Sequence, residues 1–124
     1  MEFRFSDVFS NVLFLKKHEI VLASRNSNRD VSNWLPQAKI VKIRWNNFDL
    51  LRKICNNVDV IIHSAGMNAS ECKRNPNKAL EVNGLNTKNL ILAAVKEKVK
   101  KFIYFSTAHV YGSPLRDKID ERSE

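Results

Sequence analysis

Glycine is scarce: the 124 residues hold three, Gly66, Gly84 and Gly112, and none precedes position 66. That excludes a glycine-rich, phosphate-cradling turn from the first half, since such a turn needs glycine for the backbone to close onto a pyrophosphate at a helix N-terminus. Cysteine is equally sparse. Cys55 and Cys72 show no Cys-x-x-Cys spacing and no histidine partner pattern, so neither a disulfide framework nor a metal site is expected, and both read as reduced thiols. Apolar runs stay short, as in Val60-Ile61-Ile62 and Phe102-Ile103-Tyr104-Phe105, far below the ~20 residues a membrane span needs. The first residues carry Glu2 and Asp7 and no apolar stretch of signal-peptide length, so a cytoplasmic chain is expected.

What is present is a basic, moderately apolar chain with a net charge of +8 and 44% hydrophobic residues. It is large enough to bury a core and accounts for one domain at most. The charge invites a nucleic-acid reading, but the basic residues fall in scattered groups, Lys16-Lys17, 39–44, 96–101 and 116–118, without interleaved stacking aromatics or a recognisable binding module. Solvated helix ends and loop rims account for them. A phosphate-bearing cofactor or nucleotide-sugar would suit the same balance.

Periodicity divides the chain into alternating elements. Residues 6–17 read as a helix capped by Ser6, with Phe9, Val12 and Leu13 on one face. Residues 19–23 form a short strand that ends in the polar loop Ser24-Arg25-Asn26, and 30–35 offer a brief crossover. Alternation over 39–44 predicts a second strand, and Phe48, Leu51 and Cys55 recur at helical spacing within 47–56. The longest helix is expected over 76–98, with Asn75 as cap, Pro76 at its first position, and Ala79, Val82, Leu90, Ala94 and Val95 facing a sheet. Gly84 within it suggests close packing or the approach of a cofactor. After Gly112 the chain reads as loop.

Two apolar segments carry the functional argument. Val58-Asp59-Val60-Ile61-Ile62-His63-Ser64-Ala65-Gly66 ends in small residues, and Phe102-Ile103-Tyr104-Phe105-Ser106-Thr107 ends in hydroxyls. The interval between them holds one crossover helix, so they spell a parallel βαβ unit whose strand tips meet at the edge where open α/β sheets bind ligands. His63, inside an apolar strand, reads as a core histidine, and Trp45 as a core tryptophan.

With these segments, and with Asn75-Pro76, Asn83, Thr87-Lys88-Asn89-Leu90, Val110-Tyr111-Gly112 and Asp120-Glu121, the chain resembles the NAD-dependent epimerase/dehydratase family of extended short-chain dehydrogenases/reductases. The resemblance implies a Rossmann-like, doubly wound parallel sheet, partial here, and NADP or NAD as cofactor. Thr107 falls on the family's catalytic Ser/Thr position, and Ser106 beside it falls among the cofactor-binding residues. Ser64, Ala65 and Gly66 fall where the dinucleotide is lined, Asn68 near the nicotinamide ribose, Asn83 on the family's helix asparagine, and Arg25 where an arginine pairs with a 2′-phosphate. His109 and Tyr111 follow Thr107 towards the substrate side.

Two family features are missing. Met1-Glu2-Phe3-Arg4-Phe5-Ser6-Asp7 stands where the first strand and glycine-rich turn belong, and neither Tyr104 nor Tyr111 begins a Tyr-x-x-x-Lys. Residues 1–112 are therefore expected to form part of an NAD(P)-binding domain, and 113–124 a tail leading towards an absent catalytic region. On this reading the chain is an incomplete copy, a fragment of a nucleotide-sugar epimerase, dehydratase or reductase that is inactive alone. The alternative is a non-catalytic remnant that forms a homo-oligomer or docks to a full-length relative through its strand edges.

Overall fold

The computed structural model describes residues 18–25, 36–112, 119, 120 and 122. The helix expected over 6–17, the crossover over 30–35 and most of the tail lie outside the described residues. Two pairs of parallel strands organise the rest. β1 (Val21–Ser24) lies beside β2 (Lys39–Lys42), with Val21 opposite Lys39 and Ser24 opposite Lys42. β3 (Val60–His63) lies beside β4 (Lys101–Tyr104), with Val60 opposite Lys101 and His63 opposite Tyr104. The two central segments read from the sequence are thus parallel neighbours, and Phe105 extends their ladder by donating its N–H to the His63 carbonyl at 3.0 Å. Among the described residues no strand joins the two pairs into one sheet. The architecture is a partial α/β Rossmann-like layer.

Between the pairs runs α1 (Phe48–Cys55). Asn47 starts it, its side-chain oxygen accepting from the Leu50 N–H at 2.9 Å, and Asp49 in the first turn and Arg52 and Lys53 in the last complement the helix dipole. Leu51 and Cys55, one turn apart, are fully buried on one face. Against that face packs α4 (Asn86–Lys96), which contributes Leu90, Ala93 and Ala94 to a core that also holds Ile43. Ile61 of β3 and Phe102 of β4 close the core from the sheet side. Val95 does not face the sheet as its spacing suggested and is 69% exposed. From Leu90 the helix brings positions three and four residues on back to the same face, so Ala93 and Ala94 point inward and the next residue turns out.

Glu97 ties the two helices together at one end, accepting from Arg52 Nε at 2.7 Å and from the Asn56 side-chain amide at 3.1 Å. These bonds, the Asn56 one foremost, hold its carboxyl below the usual carboxylate range. Beside it, burial pushes the Cys55 thiol up, with the Glu97 charge adding to the effect, so Cys55 is an inert core thiol. Both helices stop on a left-handed residue, Asn57 and Lys98, each with φ of 59°. At Lys98 the stop is a Schellman motif: Lys98 N–H donates to the Val95 carbonyl and Val99 N–H to that of Ala94. The helix therefore ends at Lys96 rather than at 98, and β4 can start at Lys101.

The stretch leading into α4 differs from a plain helix. Short α2 (Ala69–Arg74) and α3 (Pro76–Ala79) are followed by a π-helical segment (Leu80–Leu85), in which the Asn86 N–H reaches back five residues to the Glu81 carbonyl. Asn75 caps α3 through the Lys78 N–H, with Pro76 at the first position, as the sequence suggested. Gly84 lies in the π segment, but a Cβ there would meet only the Leu80 Cδ1 at 3.4 Å, an ordinary contact. Close packing does not explain that glycine. No described helix is long and apolar enough to cross a membrane, and no group of three or more potential metal ligands occurs among the described residues.

Candidate functional site

Because β3 and β4 are parallel and in register, the loops that follow them leave the same edge. After β3 come Ser64, Ala65 and Gly66, all exposed, then Met67 and Asn68. After β4 come Phe105 and the exposed Ser106 and Thr107, then a 3-10 turn (Ala108–Tyr111) in which the Val110 N–H donates to the Thr107 carbonyl at 3.2 Å. Gly112 closes that turn with φ of 100°, a conformation side-chain-bearing residues rarely adopt. The side chain of His109 lies outside the described residues.

The loop after β3 is held from two sides. From the π segment, the Asn83 side-chain oxygen accepts from the Met67 N–H at 2.8 Å, and its amide nitrogen lies 3.5 Å from both the Met67 carbonyl and Cys72 Sγ. From α2, Asn68 and Glu71 form a reciprocal capping box: Asn68 Oδ1 accepts from the Glu71 N–H and Glu71 Oε2 from the Asn68 N–H, each at 2.9 Å. Space is tight at Gly66, since a Cβ would stand 3.3 Å from Asn83 Oδ1 and that side chain would have to give by a few tenths of an ångström. Beneath the loop, His63 is buried, its Nε2 2.9 Å from Thr87 Oγ1 and its ring among Trp45, Phe102 and Tyr104 at centroid distances of 5.7–5.9 Å. Burial pulls its pKa below the ordinary value and favours the neutral ring. His63 is buried as the sequence suggested, and Trp45 is partly buried against the core.

A cleft of roughly 520 Å³ opens where this loop faces the end of β1. Arg25, just past β1, lines it together with Gly66, Met67, Asn68, Glu71, Lys78 and Val82. Three residues singled out in the sequence, Arg25, Gly66 and Asn68, are thus brought together across the separation between the two strand pairs. Ser64 and Ala65 lead into the same loop, whereas Ser106 and Thr107 stand at the neighbouring strand tip and do not line this cleft. Val82 was read only as a sheet-facing helix residue, and Lys78 and Glu71 went unremarked in the sequence, although Asn68-Ala69-Ser70-Glu71 carries the capping-box spacing that places the last of them. The cleft combines two cationic side chains, Arg25 and Lys78, with the carboxylate of Glu71 and a small-residue wall at Gly66, a polar lining rather than an apolar one.

Comparison with known proteins agrees with this fold. The model of the NAD dependent epimerase/dehydratase family matches residues 8–124. Among solved structures, Pen from Bacillus thuringiensis superposes with a TM-score of 0.74 at 28% identity, over 88% of this chain and 35% of its own. The UDP-glucose 4-epimerase of Bifidobacterium longum, solved with NAD+ and UDP, gives a TM-score of 0.79 at 26% identity, over 91% of this chain and 37% of its own. The dTDP-glucose 4,6-dehydratase of Streptomyces venezuelae, at 22% identity and a TM-score of 0.78, covers 95% of this chain and shares the fold over 41% of its length. An uncharacterized membrane protein of Methanocaldococcus jannaschii is 40% identical over 60 residues, 48% of this chain and 18% of that protein. The chain therefore spans well under half the length of the proteins it matches. With a family model that matches residues 8–124 and parallel strand pairs that fit a Rossmann-like fold, the chain belongs to the NAD dependent epimerase/dehydratase family.

Proposed function

We propose that this chain is the cofactor-receiving part of an NAD(P)-dependent enzyme acting on nucleotide-sugars in the cytoplasm, and that its 124 residues alone turn over no substrate. Residues 1–112 belong to the dinucleotide-binding domain, and 113–124 lead towards the substrate side. The observation that carries this reading is the cleft in which Arg25 meets Gly66 and Asn68. When bound, the dinucleotide supplies a hydride acceptor. This chain's own part is to seat it: Ser64, Ala65 and Gly66 offer a wall without bulky side chains, Asn68 lies at the ribose, and Arg25 pairs with a 2′-phosphate, favouring NADP over NAD. Thr107 would hydrogen-bond the reacting oxygen of the sugar at the adjacent strand tip, with Ser106 beside it on the cofactor side. These residues hold neither a glycine-rich turn nor a Tyr-x-x-x-Lys, so pyrophosphate binding is weak and proton transfer lacks its base.

The test is titration of the purified chain. Calorimetry with NADP+ or NAD+ at micromolar concentrations gives no saturable heat. At millimolar NADP+, amide NMR shifts concentrate at Arg25, Gly66 and Asn68, and Arg25→Glu weakens NADP+ more than NAD+. Micromolar affinity would overturn the proposed weakness, and shifts scattered away from the cleft would overturn the site.

A further inference from the structure

The loop after β3 is not self-supporting. Its Met67 N–H and carbonyl both face one side chain, Asn83, which enters from the π-helical segment (Leu80–Leu85). Single turns of π-helix inside α-helices recur at functional sites, where the widened backbone re-aims a side chain. Asn83 is partly buried, and its oxygen occupies the space a Cβ at position 66 would crowd. A solvent-facing helix asparagine would make neither contact.

The hydrogen bonding has a chemical consequence for the cleft. The Met67 N–H is spent on Asn83 and the Asn68 N–H on Glu71 Oε2. Two successive amides that could have cradled an anion are therefore already paired. The positive charge in the cleft comes instead from side chains at its rim, Arg25 and Lys78, the latter also 2.7 Å from Glu81 Oε1.

We propose that Asn83 is a positioning residue: acting through Met67, it sets the loop so that the wall at Gly66 receives the uncharged nucleoside part of the ligand, while the phosphates are left to Arg25 and Lys78. This rests on the cofactor reading above and divides the cleft into two chemically distinct halves. It also gives a reason for the close approach of Gly66 to an asparagine from a different element.

The test uses the whole chain, with adenosine and inorganic pyrophosphate as separate NMR titrants and amide hydrogen exchange at Met67. In the wild type the Met67 amide is protected, adenosine shifts Gly66 to Asn68, and pyrophosphate shifts Arg25. Asn83→Ala removes the Met67 protection and weakens adenosine about tenfold, the scale of one neutral hydrogen bond, while pyrophosphate binding and the melting temperature hold. Asn83→Asp keeps the acceptor and restores both Met67 protection and adenosine binding, so the proposal stays testable if the alanine variant does not fold. Equal weakening of adenosine and pyrophosphate, or unchanged adenosine affinity in Asn83→Ala, overturns the inference. If the wild type binds pyrophosphate but no adenosine, the division of the cleft is wrong. If it binds neither titrant nor NADP+, the cofactor reading fails, and the positioning role is decided by Met67 exchange alone.

Discussion

The two strand pairs share a geometry and differ in what covers them. Each is a four-residue parallel ladder, yet no residue of β1 or β2 is buried, whereas β3 ends on the buried His63, and Ile61 and Phe102 close the core beneath α1 and α4. A parallel ladder does not bury itself, and helices supply what makes it stable. The second pair has such a cover among the described residues, and the first meets the core chiefly through Ile43 just beyond β2.

The widest gap between the regions should appear on truncating side chains. Leu51, with no exposed surface, anchors the helix layer over the second pair, so Leu51→Ala should cost about 2–5 kcal/mol in urea unfolding. Leu22→Ala in half-buried β1 should cost about 1 kcal/mol or less. Comparable losses would erase the distinction.

Acid should act first on the second pair. Burial keeps His63 below the ordinary histidine value, so the folded chain binds fewer protons than the unfolded one as pH drops past about 6.5. Stability is therefore full above that pH and falls towards the lowered folded pKa. The carboxyls of Asp59 and Glu97, held low chiefly by hydrogen bonds from Lys100 and Asn56, lose their contributions only below about pH 4.5. Urea midpoints of the wild type should decline as the pH falls below about 6.5, and His63→Gln should flatten that decline; an unchanged slope would remove His63 as the cause.

At the junction between the pairs, Asn47→Ala removes the cap of α1 and should cost about 1 kcal/mol, with the loss seen as faster amide exchange at Leu50. The smallest effect should be a gain. Gly84 makes no close contact and has no left-handed φ, so Gly84→Ala should raise stability by up to ~1 kcal/mol in thermal melts. Destabilisation would mean that the π segment itself requires glycine.

The strands and long helices were readable because period-2 and period-3.6 apolar patterns survive in short windows, as in 58–63 and 47–56. The cap at Asn75 was readable for the same local reason. The helix end at Lys96 was not: its stop uses Lys98 in a left-handed conformation, where glycine would have announced it. Nor was the π segment, since a change from four- to five-residue hydrogen bonding leaves no compositional mark. Within the site, Arg25, Gly66 and Asn68 could be proposed one by one from position. Their meeting with Lys78 and Val82 in one cleft is a tertiary fact with no local signature.

The β3–β4 register pairs Val60 with Lys101, some 40 positions later. At ribosomal speeds of roughly 5–20 residues per second, β3 waits a few seconds after emerging before its partner exists, its aliphatic edge unshielded meanwhile. α1 lies earlier in the sequence and packs on α4, so its apolar face too waits until α4 and β4 have been made. The steps most exposed to kinetic trapping are therefore the last two.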